Sequence, residues 1–310
     1  MENHLNIIEK IISKNYWTNW LGLSRTLLAL SLILTLLLND KTTLFYTGLQ
    51  NESFPKFQQI EFNLFSWFVN FESAVIFSIV LLIPVLIGFL PRYTCFIHWF
   101  VTYSFLNTSM VIDGGDQVAS IITFLLIPIC TFDDRKWHWS IEEKEKSFIA
   151  KTVATFAFLL LTFQISIIYF FSAVGKFKVA EWTNGTAIYY WLTHPLFGAV
   201  EYFNPLINII LKNPILTAFL NWSVLILELA IAISIFWTNN NHKKILLQIG
   251  IVFHFFILLF LGIVSFSITM TACLILLLIT KNKNYEFSIP SFTYSFNYIS
   301  NLLSTSAKKN

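Results

Sequence analysis

The sequence predicts an all-α, polytopic membrane protein with about eight transmembrane helices and both termini in the cytoplasm. Three observations carry that prediction: a composition too apolar for water, a series of apolar runs of membrane-spanning length, and positive charge that alternates between the segments joining them. Hydrophobic residues make up 56% of the 310 positions and charged residues 12%, with 33 phenylalanines. Water-soluble domains carry roughly 25% charged residues, so polar side chains cannot cover this apolar mass and lipid must. The net charge of +3, with no basic run, points away from a nucleic-acid partner. Cys95, Cys130 and Cys273 all lie inside apolar runs. They read as small core residues rather than as a disulfide framework or metal cluster.

The elements follow in order. Residues 1–20 are amphipathic and lack the short apolar core and small-residue cleavage site of a signal peptide, so the first span is expected to start insertion. Apolar runs cover residues 21–38, 73–90, 93–112, 152–171 and 215–237. A shorter run, 117–131, follows the charged hairpin Asp113-Gly114-Gly115-Asp116. The last run, 245–280, has 36 residues. As one helix it would measure about 54 Å against a hydrocarbon core of roughly 30 Å, so a turn is expected near residues 262–267.

Charge tests the count. Starting inside, the segments assigned to the cytoplasm hold Lys10, Lys14, Arg92, Arg135, Lys136, Lys144, Lys146, Lys151, Lys243, Lys244, Lys281, Lys283, Lys308 and Lys309. The external ones hold Lys41, Lys56, Lys176, Lys178 and Lys212. Fourteen against five follows the positive-inside rule, and dropping one span scrambles it. Trp17, Trp20, Trp137, Trp139 and Trp237 fall at inner span ends, where interfacial indoles belong. Two long external segments result, roughly 39–72 and 172–214, the second aromatic and broken by Pro195, Gly198 and Pro205.

Ionisable groups at membrane depth need partners or water. Glu228 and His254 each lie nine residues from the inner end of a span, about 13 Å deep, on helices expected to be adjacent. They are candidates for a pair that shares a proton or simply ties two helices together. Arg25, near the start of the first span, calls for a carboxylate or for snorkelling to the inner water, a structural role. His98 reads as an interfacial polar residue. No H-E-x-x-H, phosphate-cradling glycine loop or G-x-S-x-G occurs, so neither a metal site, a phosphate site nor serine catalysis is expected. On the outer side two features stand out. The Asp113–Asp116 hairpin reads first as ordinary turn chemistry. Lys176 and Lys178 end the fifth span, and a lysine desolvated among Phe170, Phe171, Phe177 and Trp182 gives up its proton more readily and can serve as a base.

Five motifs taken in order, GLSRTLLAL, VIDGGDQ, YFFSAVGKFKVAEWTNGTA, ILELA and GIVFHFFILLFLGIVSFSITM, together resemble the HTTM domain. That domain is shared by vitamin K-dependent γ-glutamyl carboxylase and its bacterial relatives. The resemblance spans residues 16–280, implying one membrane domain with a polar cytoplasmic tail at 281–310. The opening WTNWLGLSRTLLALSLILTLLLND is most similar to the SdpB sporulation-delaying-protein family. Those are membrane components that mature and export a secreted killing peptide together with a soluble, SdpA-like partner.

The resemblance implies roles residue by residue. Lys176 matches the base that begins vitamin K epoxidation on the lumenal side, with Lys178 a near alternative. Glu228, His254 and Asp116 match further motif positions counted with Lys176 as catalytic. Trp182, Asp113 and Lys178 are the positions expected to touch substrate. About thirty polar residues follow the last span where the carboxylase has a large lumenal region, so carboxylation through a bound propeptide is not expected. The expected function is SdpB-like maturation or export of a secreted antimicrobial peptide at the outer face of a bacterial cell membrane. A lipid-quinone-dependent peptide-modifying enzyme and a non-enzymatic immunity or transport protein stay open beside it.

Overall fold

The computed structural model describes residues 14–45, 62–140, 145–195 and 198–279. The N-terminal amphipathic stretch, part of the first external segment and the tail expected in the cytoplasm lie outside the described residues. Eight long helices are described: α1 (Asn19–Leu38), α2 (Phe71–Ile87), α3 (Pro91–Thr108), α4 (Gly114–Cys130), α5 (Phe148–Lys176), α6 (Pro214–Ile233), α7 (Asn240–Leu261) and α8 (Val264–Leu278). Among the described residues there is no strand. By length and composition α1, α5, α7 and α6 with its 3₁₀ continuation to Phe236 can cross a membrane, while α2, α4 and α8 are apolar but shorter. Helix α3 has 18 residues but carries Arg92, His98 and Asn107.

Local chemistry sets the boundaries. Thr18, Asn70, Ser147, Asn213 and Asn239 each turn a side-chain oxygen onto a free N–H of the first turn of α1, α2, α5, α6 and α7. Pro91 and Pro214 open α3 and α6, where a missing N–H costs nothing. The 36-residue apolar run turns at Gly262, whose φ of +68° a side chain would resist. The turn falls inside the interval expected from length alone.

Helix α8 is the hub: it packs most extensively on α1 and then on α7 and α4. Consistent with that position, Met270 and Ala272 through Leu278 are all buried, as are Ser267 and Thr269 among its hydroxyls. The other main pairings are α3 on α4, α5 on α6, α4 on α5 and α1 on α2. The surface is inverted relative to a water-soluble protein. Phe156, Leu160, Phe163 and Phe171 of α5 and Phe255 of α7 are exposed, while Thr155, Thr162 and Ser166 face inward. Only lipid makes that arrangement favourable. The buried hydroxyls donate mainly to carbonyls one turn back, or pair across helices as Thr102 does with Thr123 and Thr269 with Ser31. The three cysteines are free and buried.

Residues 131–140, read from sequence as a charged inner loop, fold back into the bundle. His138 N–H donates to the Gly88 carbonyl and Leu90 N–H to that of Lys136. Leu90 is held at φ +41° for this contact, an uncommon conformation for a branched side chain.

Candidate functional site

Helix geometry places Tyr169, Ser172 and Lys176 on one face of α5, at spacings of three and four residues. Against that face stand Glu228 of α6 and His254 of α7. The Lys176 ammonium donates to both oxygens of Glu228, at 2.8 and 2.7 Å, and to the Ser172 hydroxyl at 2.8 Å. Ser172 in turn donates to Glu228 Oε1 at 3.1 Å. Nζ also lies 5.3 Å from the centre of the Trp182 ring, a cation–π contact. Phe170, Phe171 and Phe177 are exposed, so of the four aromatics expected around the lysine it is Trp182 that covers it.

Glu228 and His254 are not hydrogen-bonded to each other. Each pairs instead with α5, and His254 Nε2 meets the Tyr169 hydroxyl at 2.8 Å. Both still line one cavity of about 320 Å³, along with Tyr169, Ser172, Gln117 and Gly114. Its remaining wall is apolar, built from residues such as Ile121, Ile168, Phe253, Ile257, Phe266 and Met270. That volume and lining suit a small apolar ligand held at a few polar points.

Two residues that pattern reading missed complete the site. Tyr169 is 2% exposed, and in an apolar helix it looks like any core aromatic; its spacing from Lys176 was the available signal. Asn221 of α6 is fully buried. It accepts from Ala187 N–H at 3.1 Å and donates to the Trp182 carbonyl at 2.8 Å, pinning the segment that holds the indole over Lys176. A lone asparagine inside an apolar span was its signal.

At the cavity rim, Asp113 and Asp116 form a reciprocal cap on α4: each side chain accepts the other's N–H at 3.0 Å. Asp113 also accepts a short hydrogen bond from Ser265. Gly115 lets the hairpin lie against Phe266, where a Cβ would come within 2.6 Å of Phe266 Cα. Asp113 therefore holds the hairpin to the start of α8 while Asp116 closes the cap, and the hairpin borders the cavity through Gly114. Lys178 is exposed and stands apart from these contacts.

Arg25 does not snorkel, and among the described residues it is not paired with a carboxylate. It is 1% exposed and donates to Thr94 at 3.0 Å, within electrostatic range of His98 and His138. His98, expected at the interface, is also 1% exposed. Nearby, Arg135 grips Asp133 through two 2.8 Å bonds and donates to the His138 carbonyl. Thr26 donates its one hydroxyl hydrogen to the Leu86 carbonyl, so the 3.3 Å contact with His138 Nε2 is an N–H of the imidazole. Burial, with Arg25 and Arg135 adding to it, pushes His138 down to about 2 and keeps the ring neutral.

A family model, the HTTM domain, matches residues 15–282. The chain belongs to the HTTM domain family. It is 36% identical over 254 residues to sporulation-delaying protein SdpB of Bacillus subtilis (strain 168), covering 81% of this chain and 78% of that one. It is 33% identical over 279 residues to YitO of the same strain, covering 86% and 87%. No solved structure matches. Family membership and the apolar, inverted helices together make this an SdpB-like HTTM membrane protein.

Proposed function

We propose that this HTTM protein spans a bacterial plasma membrane eight times and acts on a secreted peptide toxin precursor at the outer face, as an SdpB-like maturation or export factor. Both termini are then cytoplasmic, and a soluble SdpA-like protein is the expected partner. The observation that carries the reading is the Lys176–Glu228 pair beside a cavity, at the end of the bundle that holds few other lysines and arginines. Similarity to SdpB supplies the process. The test is deletion of the gene followed by mass spectrometry of the culture medium. Mature peptide should disappear and return with the native gene but not with Lys176→Ala, provided that variant reaches the membrane in native amount. Unchanged peptide in the deletion strain removes the proposal.

A second reading is favoured by the cavity itself. Its apolar wall and its polar points at Tyr169, His254, Ser172 and Glu228 fit a lipid quinone or hydroquinone. Such a group would supply redox chemistry. The chain would contribute an apolar seat, hydrogen bonds from Tyr169 and His254, and a proton acceptor at Lys176. Tritiated menaquinone that exchanges on and off the purified protein saturably, and is lost in Met270→Trp, supports it; non-saturable partitioning opposes it.

A further inference from the structure

As it stands Lys176 is fully engaged as a hydrogen-bond donor. The three hydrogens of its ammonium are taken up by the two Glu228 oxygens and the Ser172 hydroxyl, with the Ser172 carbonyl a further 3.3 Å acceptor. No lone pair is free on that nitrogen. The lysine also does not line the cavity, whereas Glu228 and Ser172 do. An occupant of the cavity can touch the carboxylate, whose partner is the lysine.

Occupancy changes the balance of this pair. An open cavity lets water solvate the Glu228 carboxylate. An apolar occupant expels that water, and the loss of solvation penalises the charged partners but not a neutral amine beside a neutral acid. Ser172 keeps a hydrogen bond to each group in either form, because its hydroxyl both donates and accepts. The Trp182 ring, 5.3 Å from Nζ, is the aromatic neighbour of the nitrogen in both forms.

We propose that Glu228 is an occupancy sensor for Lys176: entry of a small apolar molecule transfers a proton from the lysine to the glutamate and leaves a free amine. The N–H bond directed at Glu228 Oε2 breaks with its electron pair remaining on nitrogen, and an O–H bond forms on the carboxyl. Ammonium and carboxylate become amine and carboxylic acid, and no outside reactant is consumed. When the occupant leaves, water returns and the ion pair re-forms. The site is thereby reactive only when filled. This inference rests on the reading of Lys176 as the reactive amine and assigns Glu228 as its positioning and proton-accepting residue.

The test uses the full chain in lipid nanodiscs, titrated with tetralin, a bicyclic hydrocarbon probe, against protein-free nanodiscs. Infrared difference spectra should gain the carbonyl band of a protonated carboxylic acid as tetralin saturates. That gain should be absent in Glu228→Gln. In parallel, brief acetylation read by mass spectrometry should show the ratio of Lys176 to Lys178 modification rising severalfold with tetralin. Saturable binding with no carboxyl band, or with an unchanged ratio, overturns the inference. Failure of tetralin to bind overturns it too, because the trigger is then missing. All of these measurements are made without any peptide, so they stand or fall separately from the culture-medium assay.

Discussion

Two polar clusters lie buried in one apolar bundle, and they use their charges in opposite ways. The inner cluster, Arg25, Asp133, Arg135 and His138, is tied to itself, to the hydroxyls of Thr94 and Thr26 and to backbone carbonyls. Arg135 donates to Asp133, to the His138 carbonyl and to the Ser140 carbonyl. It is also packed close: a Cβ on Gly22 or Gly88 would come within 2.7 or 2.3 Å of the His138 ring. The outer cluster, Lys176, Glu228, Ser172, Tyr169 and His254, has equally good hydrogen bonds but faces about 320 Å³ of free space. A buried charge is therefore no guide to function by itself. What separates scaffold from candidate chemistry is whether the paired groups also line a cavity.

That contrast can be broken from either side, and the largest effects belong to the inner cluster. Asp133→Ala leaves Arg135 buried and unpaired, since both side chains are 1% exposed. It should cost about 3–5 kcal/mol, read by denaturant unfolding in detergent or as loss of protein from the membrane fraction. Gly88→Ala forces a side chain into a backbone at φ +85° and onto His138, and should cost about 2–3 kcal/mol in the same assay. An ordinary surface-like response to either change would mean that the inner loop is not docked as described.

His138 gives the next effect, through pH. Its folded-state value of about 2 lies below the 6.5 of a free imidazole, so the unfolded chain binds the extra proton. The stability it contributes is present above pH 6.5 and is lost as pH falls. Between pH 7 and pH 5 that loss should be about 2 kcal/mol, and His138→Phe should flatten this part of the stability curve. The smallest effect on folding belongs to the outer cluster. Met270→Phe places a larger side chain on a wall that has room for it. Stability should move by under about 1 kcal/mol, while the chain loses the tetralin response and whatever activity the cavity supports. A large destabilisation would show that the cavity is not open in the working protein.

Much of this architecture was legible from residue order. Run lengths and the excess length of 245–280 located the helices and the turn at Gly262, whereas the Asp-Gly-Gly-Asp hairpin, read as a plain turn, is the capped start of α4. The motifs brought Lys176, Glu228 and His254 forward. Their partners were not legible, because partner choice depends on how each helix is rotated about its axis. A few tens of degrees decide whether Glu228 meets His254 on α7 or Lys176 on α5. The inner loop misled for a different reason. Asp133, Arg135, Lys136 and His138 look solvated as text, and only the missing side chains of Gly22 and Gly88, distant in sequence, make space for the loop to enter. Arg25 was read as reaching for water for the same reason, since Thr94 lies 69 residues away.

Helix α5 has 29 residues, about 44 Å of helix, against a hydrocarbon thickness of roughly 30 Å. On the proposed topology, tilt or protrusion of α5 sets its last residue, Lys176, at the level of the lipid headgroups. The cavity beside it reaches from the hairpin at Gly114 down to His254. On that topology an oily molecule in the acyl chains can reach the Glu228 wall of the cavity while a water-borne chain meets the partly exposed lysine paired with it, and neither has to change phase.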